Sequence, residues 1–424
     1  MSQEVIAIEG GHKLKGTVRI SGAKNATVAL IPAIVLAEEP VEIMGVPEIS
    51  DVDALMVLLK ELNCEVELEE DTLKVNPETM INTPLVSDAV DKLRASYYFM
   101  GALLGKYGDV TIKMPGGCYL GPRPIDLHLK GFEALGATIT YDENMGSYHL
   151  HADHLKGNRI YLDFASVGAT INIMLAAVRA DGKTTIENAA KEPEIIDVAN
   201  LLTKMGAKIR GVGTDTIVIE GVDYMGGAVH EIIPDRIEAG TFLIIAAAMG
   251  NMVLIQNVIP QHLDALLSKL REMGVVFEII GDTILVYGNI EHLKPIEIKT
   301  QIYPGFATDL QQPLTAFLTQ AEGQSKVTDT IYTARFKHCA ELNKMGANIE
   351  VGDACCYVNG KTDLHGTRVN ATDLRCGAAL VVAGLMADGV TEIGNVYHID
   401  RGYDNIDRKL IALGAQISRY EVDD

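Results

Sequence analysis

Positive charge is scarce in this chain. Its 424 residues carry 36 Lys and Arg against 57 Asp and Glu, a formal net charge of −21. That balance argues against nucleic acid or an anionic membrane surface as a partner. It leaves room for a small anionic ligand, because a local basic cluster can dominate its own cleft. Long apolar runs are also missing: segments such as ATINIMLAAVRADG and GTFLIIAAAMGN are too short and too interrupted to span a bilayer, so no membrane insertion is expected. The opening stretch MSQEVIAIEGGHKL has no basic segment followed by an apolar one, and no signal peptide is expected. The cysteines Cys64, Cys118, Cys339, Cys355, Cys356 and Cys376 lack metal-ligand spacing. They are expected to be reduced and mostly buried in a cytoplasmic protein. The run 149–154, HLHADH, reads as strand then turn with no carboxylate motif beside it, so no metal is expected there.

What the chain does have is a phrase repeated six times: an apolar residue, usually Gly, a small residue, a variable one, and an apolar one. The copies begin at Leu62, Leu135, Met205, Met273, Met345 and Leu413, at intervals of 73, 70, 68, 72 and 68 residues. A fixed period marks an internally repeated architecture. Before each phrase lies a stretch with apolar residues three and four apart, such as LDALLSKLREM, which predicts an amphipathic helix. The Gly then fits the left-handed position just past a helix end; Asn63 takes that place in the first copy. A strand follows, usually with a second across a turn, as in 214–220 and 282–288. Each repeat also holds a helix that is apolar nearly all round, which predicts an interior position. The unit reads as β-α-β-α-β-β, and six units divide naturally into two groups of three.

Several segments could carry chemistry. In 115-PGGCYLGPRPIDLH-128, glycines and prolines break the chain around Cys118. A nearby cation such as Arg123 or Lys24 would favour its thiolate; it could equally be a bystander on a glycine-rich turn. In 21-SGAKNATVAL-30, Lys24 sits where an apolar helix begins. Backbone N–H groups and the helix dipole favour an anion there, although the segment could also be an ordinary strand-to-helix corner. Other interior helices start beside Arg94, Ser166, Asp235, Asp309, and Asp373 with Arg375. Related repeats would bring such starts together, one place per domain. Arg335 and Arg401 precede the fifth and sixth outer helices.

These segments together resemble the UDP-N-acetylglucosamine 1-carboxyvinyltransferases of the enolpyruvyl transferase family. The anchors are SGAKNA, PGGC…GPRPIDLH, SVGAT at 166–170, ENAAKEPEIID at 187–197, PDRIEAGTF at 234–242, FATDLQ at 306–311, ARF at 334–336, ATDLR at 371–375 and YHIDRGY at 397–403. The resemblance runs over essentially the whole chain. It implies an α/β fold of two inverse α/β barrels, three repeats in each. One domain would span 24–233, the other 1–23 with 234–424, with the active site in the cleft between them. It implies phosphoenolpyruvate and UDP-N-acetylglucosamine as substrates, and no metal, organic cofactor or obligate protein partner. Cys118 would be the acid at C3 of phosphoenolpyruvate, able to form a covalent adduct, and Asp309 the base toward the sugar hydroxyl. Lys24, Arg123 and Arg401 would hold phosphate and carboxylate, and Asn25 and Glu192 would orient the reacting groups. Arg94, Arg123, Pro124, Ile125, Asp126, Leu127, Ser166, Val167 and Ile331 would contact the nucleotide sugar, with Asp235, Arg335, Asp373 and Arg375 completing the substrate set. The chain departs from the family where some members carry lysine before SVGAT, since Phe164 and Ala165 stand here, and at Glu48 and Ser50, where a basic residue is often present. A shikimate-pathway enolpyruvyl transferase would lack the cysteine loop. A non-catalytic nucleotide-sugar-binding paralogue would not need Lys24, Cys118, Asp309 and Arg401 together.

Overall fold

Six helices are apolar nearly all round and largely buried: Lys24–Ala33, Tyr98–Tyr107, Val167–Ala177, Arg236–Met249, Gln311–Leu318 and Leu374–Met386. In the longest, every residue from Ile237 to Met249 is buried. Such helices must lie inside, because no face is left for water. The protein is described from a computed structural model over residues 3–113, 125–288 and 290–422. Cys118, Arg123 and Pro124 lie outside the described residues.

The chain forms two compact units. The described residues 22–113 and 125–233 make one, and 3–21 with 234–422 the other. Each has its own apolar core. The first unit holds the interior helices Lys24–Ala33, Tyr98–Tyr107 and Val167–Ala177; the second holds the other three. Amphipathic helices lie outside: Ser50–Glu61, Asp126–Ala134 and Pro193–Lys204 in the first, Asp264–Met273, Lys337–Lys344 and Ile406–Ala412 in the second. After each outer helix comes a left-handed residue, with φ of 61° at Asn63, 99° at Gly136, 112° at Gly206, 98° at Gly274 and Gly346, and 105° at Gly414. The repeated phrase is therefore a helix stop that any Cβ strains and that Asn tolerates best.

Five of the six sheets among the described residues have four strands in one pattern. An edge strand runs parallel to the second, which pairs antiparallel with the far arm of a hairpin; the near arm is the other edge. The strands 297–299, 324–328, 355–359 and 349–351 show it within one repeat. Three sheets take a strand from a distant part of the chain. The first takes its parallel edge from Ala228–Glu231, far along the chain, and the fourth takes its edge from Leu14–Arg19. The sixth hairpin is completed by Gln3–Glu9 pairing with Gln416–Val422. The second sheet has three strands, and its parallel edge shrinks to a single bridge from Leu85 to Ile112. Pro84 directly before Leu85 has no N–H to offer, which limits pairing there. The sheets of each unit stay separate, with no ladder between them among the described residues.

Interior helices approach closely where a residue is small. A Cβ on Gly101 would lie 2.2 Å from the Asn172 carbonyl oxygen. The Gly101 N–H instead donates to Asn172 Oδ1 at 2.8 Å, tying two interior helices together in the core. Among the described residues no helix is long and apolar enough to cross a membrane.

Candidate active site

In the first unit the candidate residues stand at the starts of the interior helices. Lys24 is the first residue of its helix, after an extended Ala23 that offers no side-chain cap. Its ammonium lies 3.3 Å from the buried Asp51 carboxylate of the first outer helix. Asn25 follows, half-buried. Arg94 opens the 3-10 turn Arg94–Tyr97 that leads into the second interior helix. Ser166 caps the third, its Oγ accepting from Ala169 N at 3.2 Å, and Val167 is the first helical residue. Thr170 donates to Ser166 O at 2.7 Å and accepts from Ala190 N at 3.1 Å. That links the SVGAT start to the segment leading to Glu192, the cap residue of the next outer helix.

His128, from the GPRPIDLH motif, joins two of these starts. Asn172 Oδ1 accepts from Gly101, so its amide nitrogen donates to Tyr97 O and to His128 Nδ1, each at 3.0 Å. An accepting Nδ1 places the imidazole proton on Nε2. The ring meets Tyr97 edge-on, centroids 4.8 Å apart. Ile125 caps the helix that Asp126 begins; Asp126 is exposed, whereas Leu127 turns into the core. The Leu127 side chain packs in the core, which leaves its backbone for the contact expected of this run. Phe164, where some relatives carry lysine, is 59% exposed.

In the second unit the starts converge on a charged chain. Asp309 lies in the short turn Thr308–Leu310 before the fifth interior helix. Arg335 Nη1 donates to its Oδ1 at 2.8 Å, and Arg375 Nη2 to its Oδ2 at 3.2 Å. Both guanidiniums are buried. Burial works against each cation, and carboxylates more than offset it: Asp309 and Asp373 for Arg335, Asp309 and Asp235 together with Tyr403 for Arg375. Asp373 caps the helix that carries Arg375, accepting from Arg375 N at 2.9 Å and Cys376 N at 3.0 Å, with Gln312 Nε2 at 3.1 Å. Asp235 caps its own helix through Ile237 N at 2.8 Å and Glu238 N at 3.0 Å. Arg401 ends the short helix Tyr397–Asp400, half-buried beside His398, whose pKa is lowered by burial first and by Arg401 as well. Ile331 is exposed on the segment before Arg335.

Sequence reasoning missed several partners. Glu238 is buried and accepts from Lys409 at 2.7 Å and from Ser21 N at 3.1 Å. Burial lifts its pKa to about 7. The spacing Asp235-x-x-Glu238 is that of a capping box, which would have drawn attention to it, but the Glu reaches to Ser21 and not to its own cap. Tyr403 lies under Arg375, the guanidinium 5.2 Å from the ring centroid, and its hydroxyl is 2.8 Å from Thr241. The described thiols are buried and free, and burial pushes Cys64 up to about 11 and Cys376 up to about 12. Thiols held protonated are poor nucleophiles. No group of three or more His, Cys, Asp or Glu suited to a metal occurs among the described residues.

Two buried histidines set a pH dependence. Burial pushes both His128 and His338 down to about 3, with Arg94 and Arg335 adding to it. An unfolded histidine takes its proton near pH 6.5, so the stability each contributes is present above that pH and lost as pH falls toward 3. Glu238 acts in the opposite sense, its contribution being lost as pH rises through about 7. His338→Asn should therefore flatten the stability curve, removing about 2 kcal/mol of the loss between pH 7 and pH 5. Urea midpoints at the two pH values check this; an unchanged slope would mean that His338 titrates normally in the folded chain.

The protein is thus a repeated α/β architecture in two units, whose interior helix starts carry paired cations and carboxylates. The sequence profile of the family EPSP synthase (3-phosphoshikimate 1-carboxyvinyltransferase) matches residues 8–410. The protein named UDP-N-acetylglucosamine 1-carboxyvinyltransferase 2 in Bacillus subtilis (strain 168) is 59% identical over 421 residues, 99% of this chain and 98% of its own. A protein of the same name in Listeria monocytogenes (strain EGD-e) is 59% identical over 414 residues, 98% and 97% of the two chains. The crystal structure of the enolpyruvyl transferase NikO from Streptomyces tendae superposes with a TM-score of 0.92 at 26% identity, covering 100% of both chains. EPSP synthase from Acinetobacter baumannii, at 19% identity and a TM-score of 0.75 over 98% and 100% of the two chains, shares the fold. The chain belongs to the enolpyruvyl transferase family that these proteins define.

Proposed function

We propose that the protein transfers the enolpyruvyl group of phosphoenolpyruvate to the 3-hydroxyl of UDP-N-acetylglucosamine and releases phosphate. The observation that carries this reading is the full-length likeness to relatives bearing the corresponding name, with Lys24, Cys118, Asp309 and Arg401 all present in their motifs. The sugar oxygen adds to C2 of phosphoenolpyruvate while Asp309 takes the hydroxyl proton and Cys118 gives a proton to C3. The tetrahedral intermediate then loses phosphate from C2 and a proton from C3, restoring the vinyl group. Lys24, Arg123 and Arg401 hold the phosphate and carboxylate, where planar guanidiniums suit bidentate contacts. Fixed cations stabilise the developing charge with no metal or organic cofactor in the scheme. The step supplies a cytoplasmic precursor of peptidoglycan, which links it to cell shape and division.

The test is phosphate release from phosphoenolpyruvate with UDP-N-acetylglucosamine and, separately, with shikimate 3-phosphate. Release with the nucleotide sugar alone is expected. Release with shikimate 3-phosphate would reassign the substrate, and nucleotide-sugar binding without release would make the protein a non-catalytic binder.

A further inference from the structure

Asp329 is fully buried at the end of the strand Gln324–Thr328. Burying a carboxylate is costly unless its lone pairs are satisfied. Here every bond comes from a neutral donor. Oδ1 accepts from Thr300 Oγ1 at 2.8 Å, Ile331 N at 3.0 Å and Tyr332 N at 2.8 Å. Oδ2 accepts from Thr308 Oγ1 at 2.8 Å and Gln311 Nε2 at 3.4 Å. The bonds to Ile331 and Tyr332 close an Asx turn, which an asparagine would close as well. The bonds to Thr308 and Gln311 do something further.

A guanidinium can only donate and a carboxylate can only accept. Arg335 Nη1 lies 3.1 Å from Thr308 Oγ1, so that oxygen accepts there and its proton must point to Asp329. The same Nη1 donates its other hydrogen to Asp309. Gln311 Nε2 also donates to Arg335 O at 2.9 Å, fixing the backbone end of the arginine. Arg335 is thus held at both ends by groups that Asp329 orients, and Arg335 in turn holds Asp309.

We propose that Asp329 is a positioning residue for the reaction: through Thr308 and Gln311 it locks the Arg335 guanidinium in the orientation that presents Asp309. The inference rests on the proposed enolpyruvyl transfer, in which Asp309 is the base. Asp329 touches no reacting atom; it sets the direction of a hydrogen-bond chain, and such chains strengthen cooperatively in a buried setting.

The test uses the full chain with Asp329→Asn, Thr308→Val and Thr308→Ser. Asparagine keeps the turn but turns an amide N–H toward Thr308 and reverses the chain. Valine removes the link while leaving Asp329 its other donors, so a folding failure of the first variant does not blunt the second. Thr308→Val is expected to lower kcat on the order of 10–100-fold, as small misplacements of catalytic groups do, with KM for the nucleotide sugar within about 3-fold and Thr308→Ser near wild type. Rotation of the Arg335 guanidinium, read from side-chain 15N exchange spectra, should be slow in the wild type and fast in Thr308→Val. Unchanged rotation in Thr308→Val overturns the proposal, as does wild-type kcat in that variant. If the wild type releases no phosphate, the functional reading fails, while the guanidinium measurement still decides whether Asp329 and Thr308 hold Arg335.

Discussion

Cys118→Ala is expected to lose enolpyruvyl transfer by roughly 10²–10⁴-fold, the range a positioned general acid supplies. In the sequence, Cys118 stands alone between glycine and proline breaks, five residues before Arg123. In the structure, Cys64, Cys339, Cys355, Cys356 and Cys376 are all buried. Cys339 shows why such thiols stay silent: its hydrogen bond to Cys356 and its burial both push its pKa up. A thiolate-seeking epoxide such as fosfomycin should therefore modify Cys118 and spare the other five. The thiolate would attack an epoxide carbon, the C–O bond would break, and the oxygen would take a proton. Peptide mass mapping reads this directly. Full turnover in Cys118→Ala, or labelling elsewhere with Cys118 untouched, would remove the acid from the scheme.

Much of the fold is legible in the sequence because the helix stops are local. Asn63 and the five glycines announce a left-handed residue after each outer helix, and the backbone angles there agree. The interior helices are equally plain, since residues such as those of Arg236–Met249 leave no polar face. What stays hidden is pairing at a distance. Nothing in Leu14–Arg19 says that it lies parallel to Gly250–Gln256, nor in Ala228–Glu231 that it lies beside Val41–Met44. Parallel pairs leave no short-range turn signal. The site divides along the same line. Caps such as Ser166, Asp235 and Asp373 follow from helix starts, whereas Asp329, Glu238 and Tyr403 draw their roles from partners many residues away. A buried aspartate reads in sequence like any turn residue. Leu127 shows a further limit: membership in a motif does not say which way a side chain points, and this one packs in the core.

Asp309→Asn is the substitution expected to damage both chemistry and fold. In the proposed role of base toward the sugar hydroxyl, Asp309 should cost roughly 10²–10⁴-fold in kcat when its carboxylate is removed. As the shared counter-charge of two buried guanidiniums, it should also cost stability. An amide oxygen can still accept from one arginine, but its nitrogen then faces the N–H of the other, leaving a buried cation unpaired. Breaking a fully buried pair costs about 3–5 kcal/mol; Asp309 itself is 24% exposed, so about 2 kcal/mol is the expected loss. Urea unfolding at neutral pH measures it. An Arg375→Met background isolates the pair: Asp309→Asn should cost less there, because one stranded charge is already gone. The two readouts separate the two roles. Turnover lost at wild-type stability would keep the base and deny the clamp. Stability lost with turnover intact would keep the clamp, and the proton of the sugar hydroxyl would have to go to another group.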